Sequence, residues 1–409
     1  MSDPRRREIA VVLLVAAVQF VNILDFVMVM PLGPDFAAAL GIPSSRLGMI
    51  GGSYTAAAAV AGLAGSLFLD RFDRRPALGI AMLGLVAGTA LGGLAGGLTS
   101  LMIARMVAGA FGGPATSLSF SIVADLVPPE RRGRAMGIVM GAFSIAQVLG
   151  VPAGLELARR FGWRAPFFAV AGVGALIAVV AVLLLPPLRG HISERHEQVP
   201  VSQLFAQRNV LLSWTMTFAV MAAGFLLIPN ISAYVQHNLG YPRARLGLLY
   251  FIAGLVSLVG MQLAGRLTDR FGSFRVGTAG SLFLAFAIAG GFVLSPPLLS
   301  VAGIFITFML AMSLRNVAYN TLTSKVPRGG ERARFMSIQS TVQHGASAAG
   351  AFFAAQLLTE LPGGALGGME RVSLLSIALT LTLPVLLFAV ESGVRRSVAP
   401  KLVTAPELQ

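Results

Sequence analysis

Of the seventeen acidic residues in the chain, only Asp25 falls deep inside a long apolar run, within Asn22–Ile23–Leu24–Asp25–Phe26–Val27–Met28. The others lie in loops, in tails or at the ends of apolar runs. A carboxylate in the middle of a membrane-length segment costs about 2.5–3.5 kcal/mol on insertion scales, so it is a functional group by default. Arg105, inside another apolar run, is the natural partner. Burial favours the neutral form of a carboxyl group, and an adjacent guanidinium favours the charged form. A carboxyl that meets and leaves an arginine in turn can load a proton on one side of a membrane and release it on the other. The alternative for the same pair is a permanent structural ion pair.

Other polar groups sit inside apolar runs. Asn22 is one turn from Asp25; Gln147, Gln343 and His344 fall near the middle of their segments; Arg315 and Asn316 lie in the inner half of theirs. Together they predict a central cavity with few polar anchors and much apolar wall. Histidine titrates near neutral pH, so His344 is either a second proton group or a hydrogen bond between helices. Arg315 either binds an anionic group or snorkels to the interface. Asn316 and the two glutamines read as packing hydrogen bonds before they read as ligands. The 26 Phe and 16 Met residues face lipid or core, and some of them supply an adaptable pocket.

The elements that hold these residues follow from composition. Of 409 residues, 56% are hydrophobic and only 12% charged, about half the charged share of a soluble protein. Glycine is abundant, at 47 residues, which suits close helix packing in a bilayer. A membrane helix needs roughly 20 mostly apolar residues. Such runs are expected at 9–33, 46–68, 76–97, 100–124, 134–157, 165–186, 209–234, 246–267, 274–294, 298–322, 334–358 and 372–391. The first follows Arg5, Arg6 and Arg7 but is too long for a signal peptide. There is no cysteine, which excludes disulfides and thiolate metal sites. The net charge of +14 is dispersed in short basic clusters between apolar runs, unlike the single basic face of a nucleic-acid binder.

Charge orients the helices. With both tails cytoplasmic, 22 of the 31 basic residues fall on the inside, seven outside and two, Arg105 and Arg315, within spans. This obeys the positive-inside rule, and two basic tails on one side require an even number of spans. Depth then tests the pair. Helix 1 enters near Ile9, so Asp25 sits about 24 Å up; helix 4 descends from near Ser100, so Arg105 lies roughly 8 Å below the outer surface. In a core of about 30 Å these levels nearly coincide.

The chain repeats itself. Ser66–Leu67–Phe68–Leu69–Asp70–Arg71–Phe72–Asp73 returns as Gly265–Arg266–Leu267–Thr268–Asp269–Arg270–Phe271–Gly272. Val127–Pro128–Pro129–Glu130–Arg131–Arg132 returns, with one insertion, as Val326–Pro327–Arg328–Gly329–Gly330–Glu331–Arg332. Both copies fall on the cytoplasmic side, so the halves run in the same sense, one of the recurrent transporter plans. The expected layout is a six-helix bundle over 1–188, a linker over 189–208, a second bundle over 209–393 and a tail over 394–409.

These motifs resemble the major facilitator superfamily. Its loop signature, Gly-x-Leu-x-Asp-Arg-x-Gly followed by basic residues, is matched by Gly265, Leu267, Asp269, Arg270, Gly272 and Arg275. The first copy departs, with Ser66 and Asp73 at the glycine positions, but keeps Asp70, Arg71, Arg74 and Arg75. Arg105 with Gly109 is similar to the family's helix 4 motif. Gly141, Gly150, Pro152 and Gly154 resemble the glycine-rich helix 5 of drug:proton antiporters, in the spelling of the sugar-efflux and chloramphenicol-resistance branch.

The resemblance implies an all-α integral membrane protein of twelve transmembrane helices in two pseudo-symmetric six-helix bundles. It implies a multi-pass monomer of a bacterial-type inner membrane, moving a small molecule and protons, with no cofactor, no metal and no nucleic acid. In the loops, Asp70 and Asp269 are expected to gate through charge-assisted pairs between the bundles; Arg74 and Arg75 either join them or only set topology. Proton-coupled export of a small amphipathic drug or sugar-like metabolite is the leading reading. A proton-coupled uptake symporter on the same fold is the alternative. A membrane enzyme or sensor fits worst, because the chain has no Walker loop, no metal-ligand helix and no nucleophile motif.

Overall fold

The computed structural model describes residues 4–188, 201–327 and 331–398. The first half holds α1 (Pro4–Val29), α2 (Leu47–Phe68), α3 (Arg74–Gly93) and α4 (Leu98–Leu126). Next come α5, which runs Pro129–Ile145, then a π turn Ala146–Gly150, then Val151–Phe161, and α6 (Ala165–Leu184). The second half holds α7 (Arg208–Leu227, extended by short turns to Asn238), α8 (Arg243–Phe271) and α9 (Ser273–Ile288, with a π turn Ala289–Val293). It continues with α10 (Val301–Thr323), α11 (Arg332–Leu357) and α12 (Met369–Val398).

Among the described residues eleven helices are long and apolar enough to cross a membrane. The helix outside that set is α11. Its 26 residues are ample for a span, but Ser337, Gln339, Ser340, Thr341, Gln343, His344 and Ser347 make it polar. It is nevertheless packed between α2 and α7, which buries Gln339 and Ser347 and leaves Ser340 and Gln343 exposed.

Two details depart from the sequence reading. The first span, expected to reach residue 33, stops at Val29, and a separate helix Gly33–Leu40 follows. Pro31 and Pro34 explain the break, since proline lacks the N–H and restricts the residue before it. The all-α architecture holds, with one short addition. Between α11 and α12, β1 (Thr359–Glu360) and β2 (Leu366–Gly367) form an antiparallel hairpin. The Asn238 side chain clamps it, donating to the Leu366 carbonyl at 3.0 Å and accepting from the Leu366 N–H at 2.9 Å.

The repeated loops reach one end by different means. The Asp73 carboxylate caps α3 by accepting from the Arg75 N–H at 3.0 Å, and accepts from the Leu188 N–H beyond α6, also at 3.0 Å. In the second copy Gly272 adopts a φ of 85°, and Glu391 of α12 accepts from the Phe274 N–H at 2.7 Å. A carboxylate ties loop to last helix in both halves, from opposite sides of the joint.

The halves meet along α2–α11 and α5–α8. At the end away from the termini the approach is close. A Cβ built on Gly48 would lie 2.6 Å from the Ala351 carbonyl oxygen, and one on Gly254 would lie 2.9 Å from that of Gln147. At the terminal end Gly62, Gly141 and Gly265 have open space. The two bundles therefore touch at the far end and splay toward the termini.

Candidate functional site

The polar cluster of the first half is built by four helices. α1 brings Asn22 and Asp25 to one face, one turn apart. α4 brings Arg105, Gly109, Gly112 and Thr116 down one face at helical spacing. Gly109 is required by proximity: a Cβ there would sit 2.1 Å from the Tyr54 carbonyl oxygen of α2. That closeness seats the Tyr54 ring under the Arg105 guanidinium, 4.7 Å from its centroid.

Asp25 has 0% and Arg105 1% of its surface exposed. Arg105 Nη1 donates to Asp25 Oδ1 at 2.8 Å and Nη2 donates to Oδ2 at 2.9 Å. Nη2 also reaches the Asp25 backbone carbonyl at 3.2 Å. The Thr89 hydroxyl of α3 lies 2.7 Å from Asp25 Oδ1 and 2.8 Å from the Leu85 carbonyl, and can donate to either. Two parallel guanidinium bonds to one carboxylate are the strong form of such a pair. Beside it, Asn22 accepts from the Tyr54 hydroxyl at 2.9 Å and donates to the Gly112 carbonyl at 2.8 Å and to Thr116 Oγ1 at 2.7 Å. The sequence reading missed Tyr54 and Thr89; the Gly109–Gly112 spacing was the one available sign of a close neighbour.

The second half holds a different arrangement. Arg315 is 1% exposed, so it does not snorkel. Its Nε and Nη2 share a single acceptor, the Asn316 side-chain oxygen, at 3.2 and 3.1 Å. Gln343 and His344 lie on α11, apart from this pair, the first exposed and the second half-buried. Gln147 sits in the π turn of α5, its backbone against Gly254. The expected cavity residues therefore fall into a tight set around Asp25, a second set around Arg315, and isolated groups on α5 and α11.

In the helix 5 motif, Gly150 packs on Leu24 of α1, where a Cβ would come within 2.6 Å of Cδ1, and Gly154 lies near Met28. Pro152 is the second residue after the π turn. Of the loop residues, Arg74 pairs with Asp125 at the end of α4, inside its own half. Arg71, Asp269 and Arg270 are exposed and Arg75 is half-buried. The side chain of Asp70 lies outside the described residues.

Among the described residues, bonded contacts join the halves at the far end. Arg243 of α8 donates from Nε to Asp35 Oδ1 at 2.7 Å and from Nη2 to Oδ2 at 2.5 Å, and reaches the Leu155 carbonyl at 3.2 Å. Glu360 of the hairpin accepts from the Ser44 N–H at 2.5 Å. Phe26 stacks on Phe225 with centroids 6.0 Å apart.

Comparisons with known proteins agree with this architecture. The sequence profile of the Major Facilitator Superfamily matches residues 15–351. A bacterial homolog of the human lysosomal transporter Spinster, solved inward-facing and unoccupied, superposes with a TM-score of 0.73 at 17% identity, over 95% of this chain and 98% of that one. The nucleoside transporter NupG gives 0.72 at 13%, over 93% and 99%. A D-xylose–proton symporter gives 0.70 at 18%, over 92% and 96%. Profile, fold and the two-bundle repeat converge: the chain is a multi-pass membrane transporter, not an enzyme, and it belongs to the major facilitator superfamily.

Proposed function

We propose that the chain is a proton-coupled exporter of a small amphipathic compound, a drug or a sugar-like metabolite, working as a monomer by alternating access. Its setting is a bacterial-type inner membrane with both tails cytoplasmic. The carrying observation is the fully buried Asp25 carboxylate held by both terminal nitrogens of Arg105. In this reading Asp25 is the proton carrier and Arg105 its exchange partner. A proton arriving at the carboxylate releases the guanidinium; return of the guanidinium drives the proton off. Thr89 and the Asn22–Tyr54 pair fix the geometry to which the arginine returns.

With the tails on the cytoplasmic side, the far-end contacts close the outer face and the splayed ends open inward. The Asp35–Arg243 pair and the Glu360–Ser44 bond then act as outer latches that must break before the cargo leaves. Export rather than uptake rests on the helix 5 pattern around Gly150 and Pro152. A gradient-driven cycle fits a chain without an ATP-binding motif.

The test is reconstitution in liposomes carrying a pH-sensitive dye, scanning amphipathic drugs and sugars for substrate-dependent proton movement. Wild type moves protons in exchange for its cargo and Asp25→Asn does not. Undiminished proton-driven transport by Asp25→Asn would remove Asp25 as the carrier and pass that role to His344.

A further inference from the structure

Among the described residues, the membrane interior holds two buried arginines, Arg105 and Arg315, and one buried carboxylate, Asp25. Arg105 uses Asp25 with both terminal nitrogens. Arg315 has no such partner. It is 1% exposed, its Nη1 makes no hydrogen bond, and Nε and Nη2 share one neutral amide oxygen. It sits 14 residues from the start of α10 and eight from its end, roughly 21 and 12 Å by helical rise. Every acid other than Asp25 lies in a loop, a tail or a helix end in the sequence. An unpaired buried ion costs several kcal/mol, and among the described residues no carboxylate is paired with Arg315.

The surroundings are shaped for the guanidinium. Gly280 of α9 allows contact with its backbone, since a Cβ there would sit 2.6 Å from the Arg315 nitrogen. Gly224 of α7 leaves room beside Nη2, where a Cβ would lie 3.9 Å away. Tyr319, one turn along, is equally buried. A guanidinium offers a planar fork of donors matched to two oxygens of one group, and Asn316 occupies one edge of that fork only.

We infer that Arg315 anchors an oxyanion-binding site in the second half, and that the cargo brings a carboxylate or phosphate-type group to it. This rests on the transport reading above and narrows its substrate class. The ligand supplies the missing negative charge, with Nη1 as the unspent donor and Asn316 holding the fork in plane. The two halves then divide the work: the proton couples at Asp25, and the anion binds at Arg315.

The experiment is thermal unfolding of the purified full chain in detergent. Chloride is replaced at constant ionic strength by sodium benzoate in one arm and by inorganic phosphate in the other. Wild type gains roughly 2–4 °C in at least one arm; benzoate alone assigns a carboxylate, phosphate alone a phosphoryl-type group. Arg315→Gln loses the response, and its midpoint in chloride is no lower than that of wild type. Arg315→Lys keeps the charge and retains part of the response, because a point charge does not reproduce the fork.

A wild type that responds to neither anion, or an Arg315→Gln that responds in full, overturns the site. Asp25→Asn keeps the anion response, so the two readings fail separately. Loss of proton-driven transport with an intact anion response implicates coupling alone. Normal proton coupling with no anion response rejects Arg315 alone.

Discussion

The Asp25–Arg105 pair is open to a double-mutant cycle. In Asp25→Asn the Arg105 guanidinium keeps its place at 1% exposure but loses the carboxylate that accepts from Nη1 and Nη2. Its remaining contacts are the one neutral amide oxygen the substitution leaves, the backbone carbonyl at 3.2 Å and the Tyr54 ring at 4.7 Å, none of which supplies the negative charge that offset the buried guanidinium. In Arg105→Met the carboxylate keeps only the Thr89 hydroxyl, which it shares with Leu85. Breaking a buried pair from one side costs about 3–5 kcal/mol, whereas replacing both members by neutral groups is often close to neutral. Each single variant is therefore expected to lose about 3–5 kcal/mol, and the double variant less than the worse single, a coupling of several kcal/mol. Denaturant unfolding in detergent measures stability, and the dye assay in liposomes measures coupling on the same four proteins. All three variants lack pH-driven transport, including the double one that recovers stability. Additive losses in stability would refute the unit, since independent sites add within roughly 0.3–0.5 kcal/mol. A double variant that recovers both stability and proton-driven transport would refute the chemistry.

Gly109→Ala places a methyl 2.1 Å from the Tyr54 carbonyl oxygen, so α2 and α4 must part; overpacking of this kind costs about 1–3 kcal/mol, and the thermal midpoint together with coupled transport should both fall. Asp35→Asn removes the bidentate partner of Arg243 at the end of the bundles away from the termini. A partly exposed pair is worth up to about 1 kcal/mol, so spin labels on Arg46→Cys and Arg245→Cys should report an outward-open population raised by up to roughly fivefold, and an unchanged distance distribution rejects the latch. Asp269→Asn, exposed in this state, should alter stability by no more than about 0.5 kcal/mol while shifting the same distances; a large loss of stability with no shift would make Asp269 structural. Ser193→Cys should react with an impermeant thiol reagent only from the side of the tails, and labelling from outside intact cells would reverse the topology.

Much of the fold was legible because lipid imposes simple demands. Apolar length marked the helices, and the repeated loop motifs marked the two halves. The meeting of Asp25 with Arg105 was legible because two charges inside apolar runs have few levels at which to lie. Tyr54 and Thr89 were not, since an uncharged hydroxyl in a run of small residues carries no mark of its partner 32 or 64 positions away. The outer latch was hidden for the opposite reason. Asp35, Arg243 and Glu360 sit where loops are expected to be charged, and only the tertiary arrangement distinguishes them from solvated surface. The break after Val29 was written in Pro31 and Pro34 but was overridden by the apolar run around them.

The splay of the bundles carries a consequence for engineering. Gly62 on α2, Gly265 on α8, and Gly133, Gly137 and Gly141 on α5 face empty space here, so larger side chains at these notches meet no steric objection in this state. Alanine in their place raises helix propensity by about 1 kcal/mol each. Yet Gly48, Gly52 and Gly254 show what a closed seam of these same helices demands, namely bare backbone against backbone or ring. Selection for heat resistance alone would fill the idle notches and lock the machine in one pose. The vacancies are a reserve held for a shape the protein is not presently wearing.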